Sequence, residues 1–194
     1  MSFMDVRKGS MVLDVCAGTG DLAFEMASRV GESGCVAAVD FSLPMIQEAR
    51  RKSRGRNRGC VELFAARADA LPFVDSSFDA AGVAFGLRNV ANAGAAVGEM
   101  ARVVRPGGRV VSLEIVGVRR GLVGILWKLY FHVLAPRMAV LFGGRRQAYQ
   151  YLSESVAGFM SADEMDNLFR ECGLRDVRHY PLALGGVCVH VGLR

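Results

Sequence analysis

Val12-Leu13-Asp14-Val15-Cys16-Ala17-Gly18-Thr19-Gly20-Asp21 is the stretch from which the fold can be read. Its aliphatic and β-branched start predicts a buried strand, and its glycines predict a tight loop where backbone can approach a ligand that a Cβ would block. The run from Asp21 predicts a helix whose first amides are free to face that loop. Outward from this unit the rhythm repeats. Strands are expected at 11–16, 35–39, 61–66, 78–84 and 109–115, with helices at 21–30, 43–54 and 93–104. Arg105-Pro106-Gly107-Gly108 reads as a break between the last of these helices and its strand. Alternation of this kind predicts an α/β, Rossmann-like fold: a mostly parallel sheet with crossover helices on both faces.

Beyond 115 the pattern changes. Leu122, Ile125, Leu126, Leu129 and Val133 fall at helical spacing, which predicts a cap or insertion at about 117–150. Ser161-Ala162-Asp163-Glu164 opens a helix with a hydroxyl cap, Cys172-Gly173 closes it, and strands follow at 174–180 and 187–191. No repeat or linker interrupts the chain, so a single domain over 1–194 is expected.

The 194 residues are 52% apolar, enough for a substantial core, and carry a formal charge of +5. The basic clusters lie far apart and no aromatics interleave with them, which argues against nucleic acid as a partner. Five cysteines form no C-x-x-C pair, and no histidine is spaced for zinc, so no metal is expected and a reducing, cytoplasmic location is. No secretory signal is read at the N-terminus. The apolar stretch 121–142 is interrupted by Lys128, His132, Pro136 and Arg137, against a spanning helix. Its basic flanks leave peripheral contact with the inner face of the cell membrane open through about 119–146.

Gly18-Thr19-Gly20 followed by Ala23 also satisfies G-x-G-x-x-A, so glycines alone do not separate dinucleotide binding from other adenosyl ligands. Charge favours one side. Asp21 at the helix start would repel a pyrophosphate, whereas Asp14 and Asp21 suit a ligand bearing an ammonium and a sulfonium. S-adenosylmethionine is therefore the expected cofactor. Asp40, closing the second strand, is placed for ribose hydroxyls. In Asp69-Ala70-Leu71-Pro72-Phe73, Asp69 can accept from an adenine amine and the Ala70 amide can donate to the ring.

These segments together resemble class I methyltransferases, which have a seven-stranded sheet with an antiparallel last strand. A narrower resemblance follows from Phe85-Gly86-Leu87-Arg88-Asn89-Val90, from Glu99-Met100-Ala101-Arg102-Val103-Val104-Arg105-Pro106-Gly107-Gly108-Arg109 and from Leu113-Glu114. Tyr149-Gln150-Tyr151-Leu152-Ser153-Glu154-Ser155 and Gly185-Gly186-Val187-Cys188-Val189-His190-Val191-Gly192 carry it further. They are similar to the ubiquinone/menaquinone biosynthesis C-methyltransferase family. The resemblance implies cofactor contacts at Thr19, Asp40, Asp69, Ala70 and Ala84, with Gly18 and Gly20 shaping the loop; some members carry a hydroxyl where Ala84 stands. Members also have an N-terminal helical region that helps cover the site, and only eleven residues precede Val12 here.

The implied reaction is C-methylation of a prenylated demethylquinol, either a demethylmenaquinol or a 2-methoxy-6-polyprenyl-benzoquinol. Arg88, Tyr149 and His190 are the candidates for its base or phenolate partner, each with a plainer role beside it. Arg88 can anchor a loop by an ion pair, His190 can be a satisfied core histidine, and Tyr149 can pack its ring. Glu114 closes the fifth strand toward the ligand edge and can pair with an arginine. Methylation of another phenolic or lipid acceptor, and a non-catalytic S-adenosylmethionine-binding protein, are the alternatives; a homodimer is left open.

Overall fold

A computed structural model describes residues 2–54, 60–116 and 159–194. Seven strands form one sheet: β1 (Met11–Val15), β2 (Cys35–Asp40), β3 (Cys60–Ala65), β4 (Phe78–Ala84), β5 (Val104–Ile115), β6 (Arg175–Leu182) and β7 (Val187–Leu193). They lie in the order β3-β2-β1-β4-β5-β7-β6. β1 through β5 are mutually parallel, and β7 runs antiparallel to both β5 and β6. The expected seven-stranded sheet with an antiparallel last strand is thus present. The expected cap at about 117–150 falls outside the described residues.

Among the described residues four helices flank the sheet: α1 (Asp21–Val30), α2 (Leu43–Ser53), α3 (Ala93–Val103) and α4 (Ala162–Glu171). Each starts for a local reason. α1 follows Gly20 in the left-handed region, at φ 82°, and α2 carries proline in its first turn. The Asn92 side chain accepts the Ala95 amide hydrogen at the head of α3, and Ser161 and Glu164 form a reciprocal capping box at the head of α4.

Among the described residues two cores result, one on each face. Met4, Ala23, Met26, Ala27 and Val30 pack with Val12 and Val36 beneath α1, while Val97, Met100, Met165 and Phe169 pack with Leu13 and Val83 beneath α3 and α4. Burying one such Val, Leu, Met or Phe side chain stabilises by about 1.5–3 kcal/mol relative to leaving it in water. A short 3-10 turn, Ser2–Met4, lays Met4 into the first core, packs Phe3 at a 40° tilt against Tyr180 with ring centroids 4.7 Å apart, and receives the Arg109 guanidinium on the Phe3 carbonyl.

Two features differ from expectation. The Arg105-Pro106-Gly107-Gly108 break lies inside β5, which already pairs with β4 at Phe78↔Val104 and resumes at Ala80↔Arg109 after a bulge. The backbone freed by the bulge is caught by Arg194, whose carbonyl accepts the Gly107 amide hydrogen and whose amide donates to the Gly108 carbonyl. Cys35 and Cys60, for which no pairing was expected, stand opposite each other on β2 and β3 with Cα atoms 4.7 Å apart and form a disulfide. No described helix is long and apolar enough to cross a membrane.

Candidate cofactor cleft and active site

The carboxyl ends of β1, β2 and β4 open into a cleft of about 560 Å³ whose lining includes Cys16, Gly18, Asp40, Phe41, Asp69 and Phe85. This is the edge where open α/β sheets hold ligands, and the volume suits a cofactor. The first wall is the β1–α1 loop. Cys16 adopts φ 57° and Gly18 φ 55°, so the chain turns back at once and directs the Gly18 amide at Asp40, whose Oδ2 accepts it at 2.8 Å. The other Asp40 oxygen accepts the Ser42 amide hydrogen at 2.8 Å. Both Asp40 oxygens are thereby fixed by backbone amides where the side chain lines the cleft.

Asp14 lies behind the loop rather than in the cleft, 1% exposed, with Oδ2 lacking a partner among the described residues. Burial pushes its carboxyl up to about 8, against a hydrogen bond from the Ala23 amide and with help from the charge of Asp40. Burial likewise pushes the Cys16 thiol up to about 12, reinforced by the charges of Asp40, Asp14 and Glu114, so Cys16 is not a nucleophile at neutral pH. Thr19 and Asp21 are drawn into a different cluster. Lys52 of α2 reaches across to donate to both, at 2.7 Å each, and Thr19 donates to Asp21 at 3.0 Å. Lys52 offsets the negative charge at the head of α1 on which the electrostatic argument against a dinucleotide partly rested.

The second wall follows β3. Arg67 grips Asp69 with two hydrogen bonds, at 2.6 and 2.8 Å, and the Ala70 amide donates to the Arg67 carbonyl at 3.3 Å. Arg67 is the one basic side chain among the described residues of the lining, and Asp69 neutralises it. Ala84 ends β4, half-buried. Phe41, Met45 and Phe85 give the cleft an apolar component, and Phe41 is 73% exposed at its mouth. Acidic rim, apolar walls and a neutralised arginine fit a cationic adenosyl ligand better than a phosphate-rich one.

The third wall is the turn after β4. Phe85 is left-handed at φ 56°, and Leu87–Asn89 form one 3-10 turn. Arg88 is nearly buried: Nη1 donates to Glu114 at 3.0 Å, the guanidinium carbon lies 5.9 Å from the centre of the Phe85 ring, and Nε has no partner among the described residues. Glu114 is fully buried and also accepts the Leu87 amide hydrogen at 2.7 Å.

His190 is not part of the cleft lining. It lies opposite Ser112 in the β5–β7 pairing, fully buried, with Nδ1 2.9 Å from Asp166, whose other oxygen is 2.7 Å from Nδ1 of His179. The third candidate, Tyr149, lies outside the described residues. Sequence reasoning missed Asp166 and Lys52. Asp166 had a weak signal, an acid between the core-facing Met165 and Phe169 of α4, whereas Lys52 ends an ordinary basic helix and had none.

A sequence model of the ubiE/COQ5 methyltransferase family matches residues 1–194. A demethylmenaquinone methyltransferase of Desulfitobacterium hafniense (strain Y51) is 40% identical over 195 residues, covering 97% of this chain and 75% of that protein. The protein of that name from Bacillus cereus (strain AH187) is 38% identical over 199 residues, covering 100% of this chain and 82% of the relative. Among solved structures, an S-adenosylmethionine-dependent methyltransferase from Aquifex aeolicus superposes with a TM-score of 0.72 at 21% identity, over 99% of this chain and 85% of that one. The last likeness shows the class I methyltransferase fold, and the others go further: with a family match end to end, this chain belongs to the ubiE/COQ5 methyltransferase family.

Proposed function

We propose that the chain transfers a methyl group from S-adenosylmethionine to a ring carbon of a demethylmenaquinol-type prenylated quinol. The observation that carries this is the 40% identity, over nearly the whole chain, to a protein named for that reaction. The lining of the cleft supports it: Asp40 would hold the ribose hydroxyls, Asp69 and the Ala70 segment would border the adenine, and Gly18, Thr19 and Gly20 would shape the loop beneath. Bound there, S-adenosylmethionine supplies a methyl group on a positively charged sulfur. Ala84 is assigned a backbone contact, since it has no side-chain donor.

The acceptor carbon is a weak nucleophile until a neighbouring ring hydroxyl loses its proton. Arg88, in the turn beside the cleft and with Nε lacking a partner among the described residues, is assigned to the resulting phenolate oxygen, whose charge a buried guanidinium would hold. Tyr149 remains a candidate for the proton transfer. For His190 the buried position favours a supporting role in the core. Phe41, Met45 and Phe85 would exclude water and so strengthen the attraction between phenolate and sulfonium. The proposal extends to peripheral contact with anionic membrane through about 119–146, which co-sedimentation with anionic vesicles tests.

Incubating the purified chain with S-adenosylmethionine and a demethylnaphthoquinol or a demethylated benzoquinol, each prenylated, and weighing the products tests the reaction. One added methyl on the naphthoquinol is expected; addition to the benzoquinol alone would transfer the proposal to that ring, and addition to neither would overturn it.

A further inference from the structure

The strongest unassigned group is Glu114. It is 0% exposed at the end of β5, where a carboxylate is costly unless hydrogen bonds replace the water it gives up. The replacements come from three consecutive residues of one segment. Oε1 accepts the Leu87 amide hydrogen at 2.7 Å, Oε2 accepts from Arg88 Nη1 at 3.0 Å, and the Gly86 amide adds a further hydrogen bond; burial still outweighs these partners and holds the carboxyl above its ordinary 4.5. These residues belong to the turn that carries Phe85 and Asn89 into the cofactor cleft.

The turn needs such an anchor. Phe85 is held in the left-handed region, costing about 1 kcal/mol or more for a non-glycine residue. Gly86 is pressed against Cys16 so closely that the turn and the β1–α1 loop share one surface. If position 114 served the core alone, a methionine or leucine would fill it without burying a charge, and such replacements of buried ion pairs are often neutral or stabilising. A carboxylate here instead directs the orientation of the Arg88 side chain and of the backbone before it.

We infer that Glu114 is a positioning residue for methyl transfer: its buried carboxylate holds the 86–88 backbone and the Arg88 guanidinium in the arrangement that faces cofactor and acceptor. It touches neither ligand and acts through the turn. The inference rests on the proposed methyl transfer for its kinetic readout and is independent of it for its structural one.

The test compares wild type with Glu114→Gln, which keeps shape and an acceptor for Leu87 but removes the charge opposite Arg88. In cofactor-free protein, hydrogen exchange at the 86–88 amides is expected to accelerate about tenfold or more. S-adenosylmethionine affinity is expected to stay within about threefold while kcat falls about 30-fold or more, the signature of lost transition-state alignment. In an Arg88→Lys background the same change should cost about threefold or less, because the two residues act as a unit.

Unchanged exchange, or a kcat within about threefold of wild type at full folding, overturns the inference. So does loss of kcat, cofactor affinity and folded fraction in parallel. If Glu114→Gln does not fold, Glu114→Asp decides: intermediate exchange and kcat support the inference, and wild-type values of both overturn it. Should wild type methylate no quinol, the proposed function fails, and the exchange arm still decides whether Glu114 holds the turn.

Discussion

Cys16 and Gly86 touch across the floor of the cleft: a Cβ built on Gly86 would lie 2.4 Å from the Cys16 Cβ and 3.1 Å from its sulfur. Neither can retreat cheaply, since Cys16 is in the left-handed region and Gly86 follows Phe85, which is too. Gly86→Ala should force the two loops apart. We expect a stability loss of about 1–3 kcal/mol in urea unfolding and a fall in S-adenosylmethionine affinity by calorimetry of about tenfold or more. Wild-type affinity in a folded Gly86→Ala protein would show that the contact does not shape the cleft.

Asp14 gives the fold an unusual dependence on pH. Its carboxyl titrates at about 8 when folded, against an ordinary 3.8, so between these values the folded protein holds a proton that the unfolded chain has lost. The stability associated with this proton is greatest at low pH and declines as pH rises toward 8. Asp14→Asn, which keeps an acceptor for the Ala23 amide, should therefore raise Tm relative to wild type more at pH 8 than at pH 5. A cationic cofactor favours the ionised carboxyl, so its binding releases the proton and its affinity should climb with pH in wild type but not in the variant. Parallel Tm profiles would remove Asp14 as the cause.

The Asp166 cluster works in the opposite sense. Burial holds the His190 imidazole below its ordinary 6.5 even though Asp166 accepts from it; for Asp166, burial works upward but is outweighed by hydrogen bonds from His179 and His190, which hold it below 3.8. Below pH 6.5 the unfolded chain takes up a proton that the folded His190 resists, so stability from this group is complete above 6.5 and lost as pH falls. Asp166 adds its loss below 3.8. Asp166→Ala should cost about 1–3 kcal/mol at pH 7, because it leaves two imidazoles, one of them buried, without their hydrogen-bond acceptor. Urea titrations at several pH values check both statements; a loss under 1 kcal/mol would mean that the histidines find other partners.

Arg102 ties the loop after β3 to α3 through five hydrogen bonds: two to Glu99, one to Asp75, and one each to the carbonyls of Leu71 and Phe73. Glu99 in turn accepts the Leu71 amide hydrogen at 2.8 Å. Arg102→Ala should destabilise by about 2 kcal/mol, and Arg102→Lys, which keeps charge but not the fork of donors, should recover less than half. Because the loop continues from Asp69, cofactor affinity should fall as well; an unchanged affinity would separate loop anchoring from the cleft.

Most strands were legible in the sequence because aliphatic runs at 11–16, 35–39 and 78–84 leave little choice of structure. The cap at Ser161 was legible because its chemistry is local. The Gly-rich break was misplaced for an instructive reason: proline and paired glycines mark irregular backbone, and only the partner supplied by Arg194 reveals a bulge within a strand rather than a gap before one. The Cys35–Cys60 pair depends on the register between β2 and β3, and the Lys52 link to Asp21 on the docking of α2 beside the loop. Neither is a property of a local stretch. Asp40 could be placed at the end of the second strand and Asp69 just after the third in advance, but not the Gly18 and Arg67 partners that orient them.

The seat of Met4 has a consequence for the order in which the chain assembles. Its side chain fills the hollow over Gly82, while Phe3 rests on Tyr180 and its carbonyl is held by Arg109. Phe3 is separated from Arg109 by 106 residues and its Tyr180 partner stands on β6, so these contacts close over a long stretch of chain. They form only once β5 and β6 have taken their places in the sheet, which makes the Ser2–Met4 turn a late-docking clasp.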